Sequence, residues 1–125
     1  MKINNKIFLF IKTIINNINN LKGKNIKIIN TKKKINNLFD YFIICEGNSN
    51  LHIKYIYNKI ESNIYSIFNI KPYNIEGLKH YEWILIDYNF IIVNIFLKKK
   101  RYYYNIDDLF KHFNNLNLNL FLKKK

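Results

Sequence analysis

Few side chains in this sequence of 125 residues could do chemistry: three histidines, one cysteine, a serine just after a glycine, and a handful of carboxylates. His52, His80 and His112 share no metal-ligand spacing with one another or with Cys45, so no metal is expected. His52 falls in the first turn of a helix, where the plainer reading is a polar helix-start residue. No G-x-S-x-G elbow, phosphate-cradling P-loop or G-x-G-x-x-G fingerprint occurs. Ser49 follows Gly47 by two residues at a strand-to-helix turn, an arrangement used by nucleotide-transferring enzymes. Those enzymes also need carboxylates close enough to hold two divalent ions. Asp87 stands alone at a strand end, and Asp107 and Asp108 are adjacent helix-start residues that point apart. The metal-binding half of such a site is missing, so neither catalytic residues nor a cofactor are expected.

What remains is a surface. Trp83, Asp87 and Tyr88 gather an indole, a carboxylate and a phenol on one strand and its turn. Core packing explains such a Trp more often than binding does. Strand alternation, however, puts Trp83, Leu85 and Asp87 on one face, and an aspartate in that row implies a face at least partly open. Trp and Tyr are also common interface anchors.

The elements that must position these residues follow from periodicity. Ile3, Ile7, Ile11, Ile14, Ile18 and Leu21 form one helical stripe, stopped at Gly23. An Asn-rich helix is intrinsically weak and must lean on the body of the protein. Ile26–Ile29 is a short strand, followed by a polar loop through Asn37. Tyr41–Cys45 is apolar on both faces, as a central strand covered from two sides should be. Residues 47–50 make a turn that supplies an N-cap, and Ile53, Ile56, Ile60, Ile64 and Ile67 trace a second amphipathic helix. Pro72 sits in the connection after it. Tyr73–Ile75 forms a short strand ended by Glu76 and Gly77. Trp83–Asp87 and Ile91–Phe96 are two strands joined by Tyr88, Asn89 and Phe90, with Asn89 suited to a positive φ. A last helix runs from Ile106 to Phe113, with Asn105 as its cap and Asp107 and Asp108 at its positive end. The order predicts an α/β fold: a single domain, with a mixed sheet flanked by helices, over residues 1–113. The Asn/Leu/Lys-rich tail, residues 114–125, is expected to fray.

Composition bounds the rest. With 49% hydrophobic residues the chain can bury a real core. A lone cysteine rules out an internal disulfide and fits a reducing compartment. There are 25 Ile, 23 Asn and 20 Lys but no Ala and only one Arg, Arg101, the signature of drift in an A/T-rich genome. The net charge of +13 would suit RNA or an anionic membrane surface. It is almost all Lys, however, in scattered runs at Lys32–Lys34, Lys98–Lys100 and Lys123–Lys125, and reads mainly as drift on a solvated surface. The apolar run Ile7–Ile11 is too short for a signal peptide and is interrupted by Lys12. No stretch approaches a membrane span, so a cytoplasmic protein without a membrane partner is expected, or a stromal or matrix one in an organelle.

Six segments then occur in one order: LKGKNI at Leu21–Ile26, DYFIICEGNSNLHI at Asp40–Ile53, Glu76-Gly77, WILIDY at Trp83–Tyr88, VNIF at Val93–Phe96 and RYYYNIDDLF at Arg101–Phe110. Together they resemble the ribosomal silencing factor RsfS, or Iojap, family. The chain departs from the usual pattern at Asn89-Phe90, Asn94 and Phe110. The resemblance implies a fold related to nucleotidyltransferases without their active site. It implies a partner, large-subunit ribosomal protein fourteen, and a steric block on the joining of the two ribosomal subunits that lowers translation. The implied partner-facing patch is Trp83, Asp87 and Tyr88, with Glu76 and Gly77 nearby. Ribosomal RNA close by would attract the lysines, and no small-molecule substrate is implied. Three rival readings remain: a large-subunit assembly factor using the same site, a basic RNA-binding module, and a residual nucleotidyltransferase.

Overall fold

The computed structural model describes residues 4–32 and 39–122. Helix α1 (Asn5–Asn20) starts where the Asn4 side chain accepts a hydrogen bond from the amide of Lys6. Its buried side is broader than the expected stripe, with Phe10, Ile11, Ile14, Ile15 and Ile18 all inside. Asn16 and Asn17 are buried too. The Asn16 amide donates to the carbonyls of Lys12 and Phe121, and Asn17 accepts from Asn63 across the helix interface. The helix is thus tied by polar contacts as well as by packing. Ile3 and the loop residues 33–38 lie outside the described residues, as do Lys33, Lys34 and Lys123–Lys125 of the lysine runs.

Strand β1 (Lys24–Asn30) lies antiparallel to β2 (Tyr41–Gly47), with a bulge between Lys24 and Lys27 where Asn25 has φ 51°. Every residue of β2 is buried, as its two-sided apolar character requires. Cys45 lies within it, and burial pushes its thiol up to about 12. Helix α2 (Asn50–Phe68) is capped by Ser49, whose hydroxyl oxygen accepts from the amide of His52. Ile53, Ile56, Ile60 and Ile64 face inward, whereas Ile67, one residue from the end, is exposed. Phe68, the next residue, takes the inward place instead, with its ring 5.1 Å from Phe10.

After Pro72 come β3 (Asn74–Glu76), β4 (Trp83–Asp87) and β5 (Ile91–Leu97). Strand β5 pairs parallel with β2 and antiparallel with β4, and β4 pairs antiparallel with β3. Asn89 takes φ 77° in the link between β4 and β5, as its residue type predicts.

Beyond β5 the structure departs from expectation. Lys98–Tyr104 forms helix α3, which no apolar period announces, because Arg101 is its one buried residue. The last helix, α4, is only Ile106–Leu109 and not Ile106–Phe113. Asn105 separates the two at φ 51° and makes no side-chain cap bond, so it acts through its left-handed backbone and not as the side-chain cap expected. The tail does not fray over its described part. Asn114–Asn115 forms β6 against β1, a 3₁₀ turn follows at Leu118–Leu120, and Phe121 is fully buried beside Phe8. Asn and Leu alternate in this tail, so one set of side chains returns to the core while the backbone pairs with an open sheet edge.

Among the described residues the mixed sheet has six strands in the order β3-β4-β5-β2-β1-β6. Helices α1 and α2 cover one face with a large isoleucine-rich core. The other face carries a smaller cluster of Ile29, Phe42, Ile44, Ile92, Phe96 and Phe110, and it is only partly roofed. Among the described residues no helix is long and apolar enough to cross a membrane.

Candidate functional site

The partly roofed face carries part of the patch expected from sequence: Trp83, Asp87 and Glu76. Opposed residues of an antiparallel pair point to the same side of a sheet. Trp83, Leu85 and Asp87 therefore share this face with Phe96, Asn94 and Ile92 of β5, and Leu85 also with Glu76 of β3. Trp83, Leu85 and Asp87 are each half-buried, and Glu76 and Gly77 are exposed. The alternation argument holds for all three residues of β4.

Trp83 does not hang free. Its ring stacks on Phe96 at 4.6 Å between centroids and touches Tyr104 at 5.1 Å. Its indole N–H donates to Oδ1 of Asn94 at 2.9 Å. Asn94 is fully buried in the middle of β5, and its amide nitrogen has no hydrogen-bond partner among the described residues. Indole and amide thus lock each other, leaving one edge of the indole and the Leu85 side chain toward solvent. Asp87 accepts from the amide of Asn89 at 2.7 Å, closing the hairpin turn. Gly77 has φ 96°, and a Cβ there would come within 2.0 Å of the Trp83 carbonyl oxygen. Only glycine lets the chain leave β3 and pass that close to β4.

Tyr88 is placed differently from expectation. It is 3% exposed, on the opposite face, with its ring edge-on to Phe10 at 5.1 Å. Burial, with Glu61 and Tyr57 nearby, holds its phenol well above the usual range. One residue beyond Asp87, the alternation carries it into the core under α1, so it is a core residue and not part of the open patch.

Two structural arrangements escaped sequence reading. Arg101 is buried, donating to both oxygens of Asp107 at 2.9 and 2.8 Å, to Glu46 at 3.0 Å, and to the Asn25 carbonyl at 2.6 Å. Lys27 adds a second cation to Asp107 at 2.7 Å. The Arg101 hydrogen bonds first, and Lys27 with them, hold the Asp107 carboxyl well below the ordinary carboxylate range against the effect of burial. The signal was available: a single Arg among 20 Lys marks a position where a planar fork is needed. His52 is the second. Its Nδ1 accepts from the Asn48 amide at 2.8 Å, which leaves Nε2 to donate to the Leu21 carbonyl at 2.6 Å. It clips the end of α1 to the start of α2, more than a polar helix-start residue would do. His52, His80, His112 and Cys45 do not converge, and no group that could hold a metal ion occurs among the described residues.

Fold and site together define a single mixed-sheet α/β domain with a half-open aromatic and acidic strip on one sheet face. The chain belongs to the RsfS family, "ribosomal silencing factor during starvation", whose model matches residues 7–125. It is 30% identical over 95 residues to the ribosomal silencing factor RsfS of Halalkalibacterium halodurans, covering 76% of this chain and 80% of that one. It is 30% identical over 98 residues to the RsfS of Chromobacterium violaceum, covering 78% and 79%. A crystal structure of a Chromobacterium violaceum protein superposes with a TM-score of 0.76 at 28% identity, covering 82% of this chain and 84% of that one. A Bacillus halodurans structure, with a TM-score of 0.73 at 24% identity over 91% of this chain and 99% of that one, shows the fold alone. The family is a regulatory one.

Proposed function

We propose that the protein silences ribosomes by docking on the large subunit through ribosomal protein fourteen, so that its body obstructs subunit joining. The observation that carries this is the β3–β4 face. There, two of the chain's eight acidic residues, Glu76 and Asp87, flank the half-open Trp83 and Leu85. A chain of net charge +13 that keeps carboxylates beside an apolar strip suits a basic protein partner at that spot. Subunit joining needs a large, closely matched surface. A rigid domain about 30 Å across, the compact size for this length, would spoil that match without chemistry. Such a factor works where the ribosomes are: the cytoplasm, or the stroma or matrix if the gene is an organelle's.

Sedimentation with separated subunits tests this. The protein is expected to travel with large subunits and not small ones, and to prevent their joining when small subunits are added later. Glu76→Lys, at an exposed position, should leave the melting curve unchanged and weaken the block about tenfold, since like charges then face each other. Trp83→Ala should cost about 2 kcal/mol or more of binding, with some loss of stability because the ring also packs on Phe96. Equal sedimentation with both subunits would replace the proposal with non-specific polycation binding. A bound protein that leaves joining unhindered would favour an assembly role.

A further inference from the structure

A second surface lies at the opposite end of α3 from Trp83. At the carboxyl ends of the parallel strands β2 and β5 the structure opens a crevice of about 850 Å³. In α/β sheets this is the end at which ligands are received. It is lined by Lys24, Lys98 and Lys99, all exposed, and by the small polar residues Asn48, Ser49 and Asn50, exposed as well. The carboxylate that also faces it, Glu46, is already neutralised by Arg101 at 3.0 Å and accepts from Asn25 at 3.1 Å. The local field is therefore that of the lysines.

Tyr102 closes one side and is 87% exposed, an aromatic ring with no packing role. Helix α3 sets two lysines of the Lys98–Lys100 run and the tyrosine around one opening.

We infer that this crevice binds single-stranded or looped RNA, with phosphates on Lys24, Lys98 and Lys99 and a base stacked on Tyr102. Three lysines alone would suit any polyanion, including an acidic peptide. The exposed ring beside them adds the one feature that separates nucleic acid from other anions, a platform for an unstacked base. Asn50 is held by the His80 carbonyl at 2.8 Å, and Ser49 Oγ accepts from the His52 amide, so the Asn48 side chain and the Ser49 hydroxyl proton are the groups that can meet base edges or ribose hydroxyls. Through Tyr104, which touches Trp83, α3 makes this surface continuous with the docking face. A protein seated on the large subunit would thus meet RNA beside its protein partner. This last point rests on the docking reading, whereas RNA binding itself does not.

The test uses the full chain and a labelled short single-stranded RNA of mixed sequence, followed by fluorescence anisotropy over a salt series. Replacing Lys24, Lys98 and Lys99 together by Gln should weaken binding tenfold or more and reduce the salt slope by about 2, as loss of about three phosphate contacts requires. Tyr102→Ala should weaken binding about tenfold and leave the slope unchanged. As a control of equal charge, Lys54, Lys59 and Lys71 are changed to Gln; none of them lines the crevice, and the effect should be under threefold. Equal losses in the two triple variants, or no loss in Tyr102→Ala, would overturn the proposal in favour of diffuse attraction. Displacement of the RNA by magnesium-ATP as readily as by unlabelled RNA would overturn it in favour of a free-nucleotide site. Each variant is melted beside the wild type, and because the assay contains no ribosome, its failure leaves subunit docking untouched.

Discussion

At the scale of single residues, the buried ion cluster shows how the chain spends its one arginine. Arg101 reaches two carboxylates and a carbonyl at once, which a planar guanidinium can do and an ammonium cannot. Arg101→Lys keeps the charge but strands part of the buried Glu46 carboxylate, and should cost about 2 kcal/mol in urea unfolding. Asp107 adds a pH dependence. Its carboxyl is depressed in the folded chain, so its contribution is fully present above the unfolded carboxylate pKa of about 4. That contribution drains away as the pH falls from there toward the folded value. The melting temperature should drop on acidification below about pH 4, and more gently in Asp107→Asn, which starts lower; parallel curves for the two proteins would deny Asp107 this role. Trp83 and Tyr88 make the complementary point. Both are aromatic and five residues apart, yet the sheet sends one to a half-open face and the other into the core.

Elements are decided by how backbone preference and packing combine. The β4–β5 hairpin is a case where local preference suffices. Asn89 stands at φ 77°, a conformation open to Asn and Gly and hostile to β-branched residues. Asn89→Gly should be neutral or slightly stabilising, and Asn89→Val should cost on the order of 1 kcal/mol or more. Equal melting temperatures for the two variants would contradict the turn geometry. Helix α3 is the opposite case. Its sequence, three lysines, an arginine and three tyrosines, has no apolar stripe, and it is anchored by Arg101 alone on its buried side. Docking of Arg101 into the sheet, with Tyr104 against Trp83, holds a segment that no apolar period announces.

The whole molecule is a sheet with two unequal faces, and the last residues of the chain help to close it. Phe121 sits in the main core with α1, packed on Phe8 at 5.0 Å, and its carbonyl accepts from buried Asn16 at 2.7 Å. Removing residues 114–125 would open the β1 edge and leave a cavity under α1. Phe121→Ala alone should cost about 3–4 kcal/mol, read as an earlier urea midpoint with one transition. A midpoint shift near zero would show that the tail is an appendage after all.

By itself the sequence determined the central pieces of this protein. Apolar runs specify β2 and, on either side of Asn94, β5; isoleucines at helical spacing specify α1 and most of α2, and the residue types at Ser49 and Asn89 specify a cap and a turn. Alternation along β4 was also enough to place Trp83, Leu85 and Asp87 together, because a strand's period of two is a local property. The tertiary structure alone decided the rest: that Tyr88 lies in the core, that Arg101 ties α3 to the sheet, that Asn16 and Asn17 turn inward, and that the Asn/Leu tail returns to pair with β1. These outcomes depend on partners far away in the chain, as Asn16 to Phe121 and Arg101 to Glu46 show. A polar side chain reads as solvent-facing until a distant group arrives to satisfy its hydrogen bonds, and only the folded chain supplies that group.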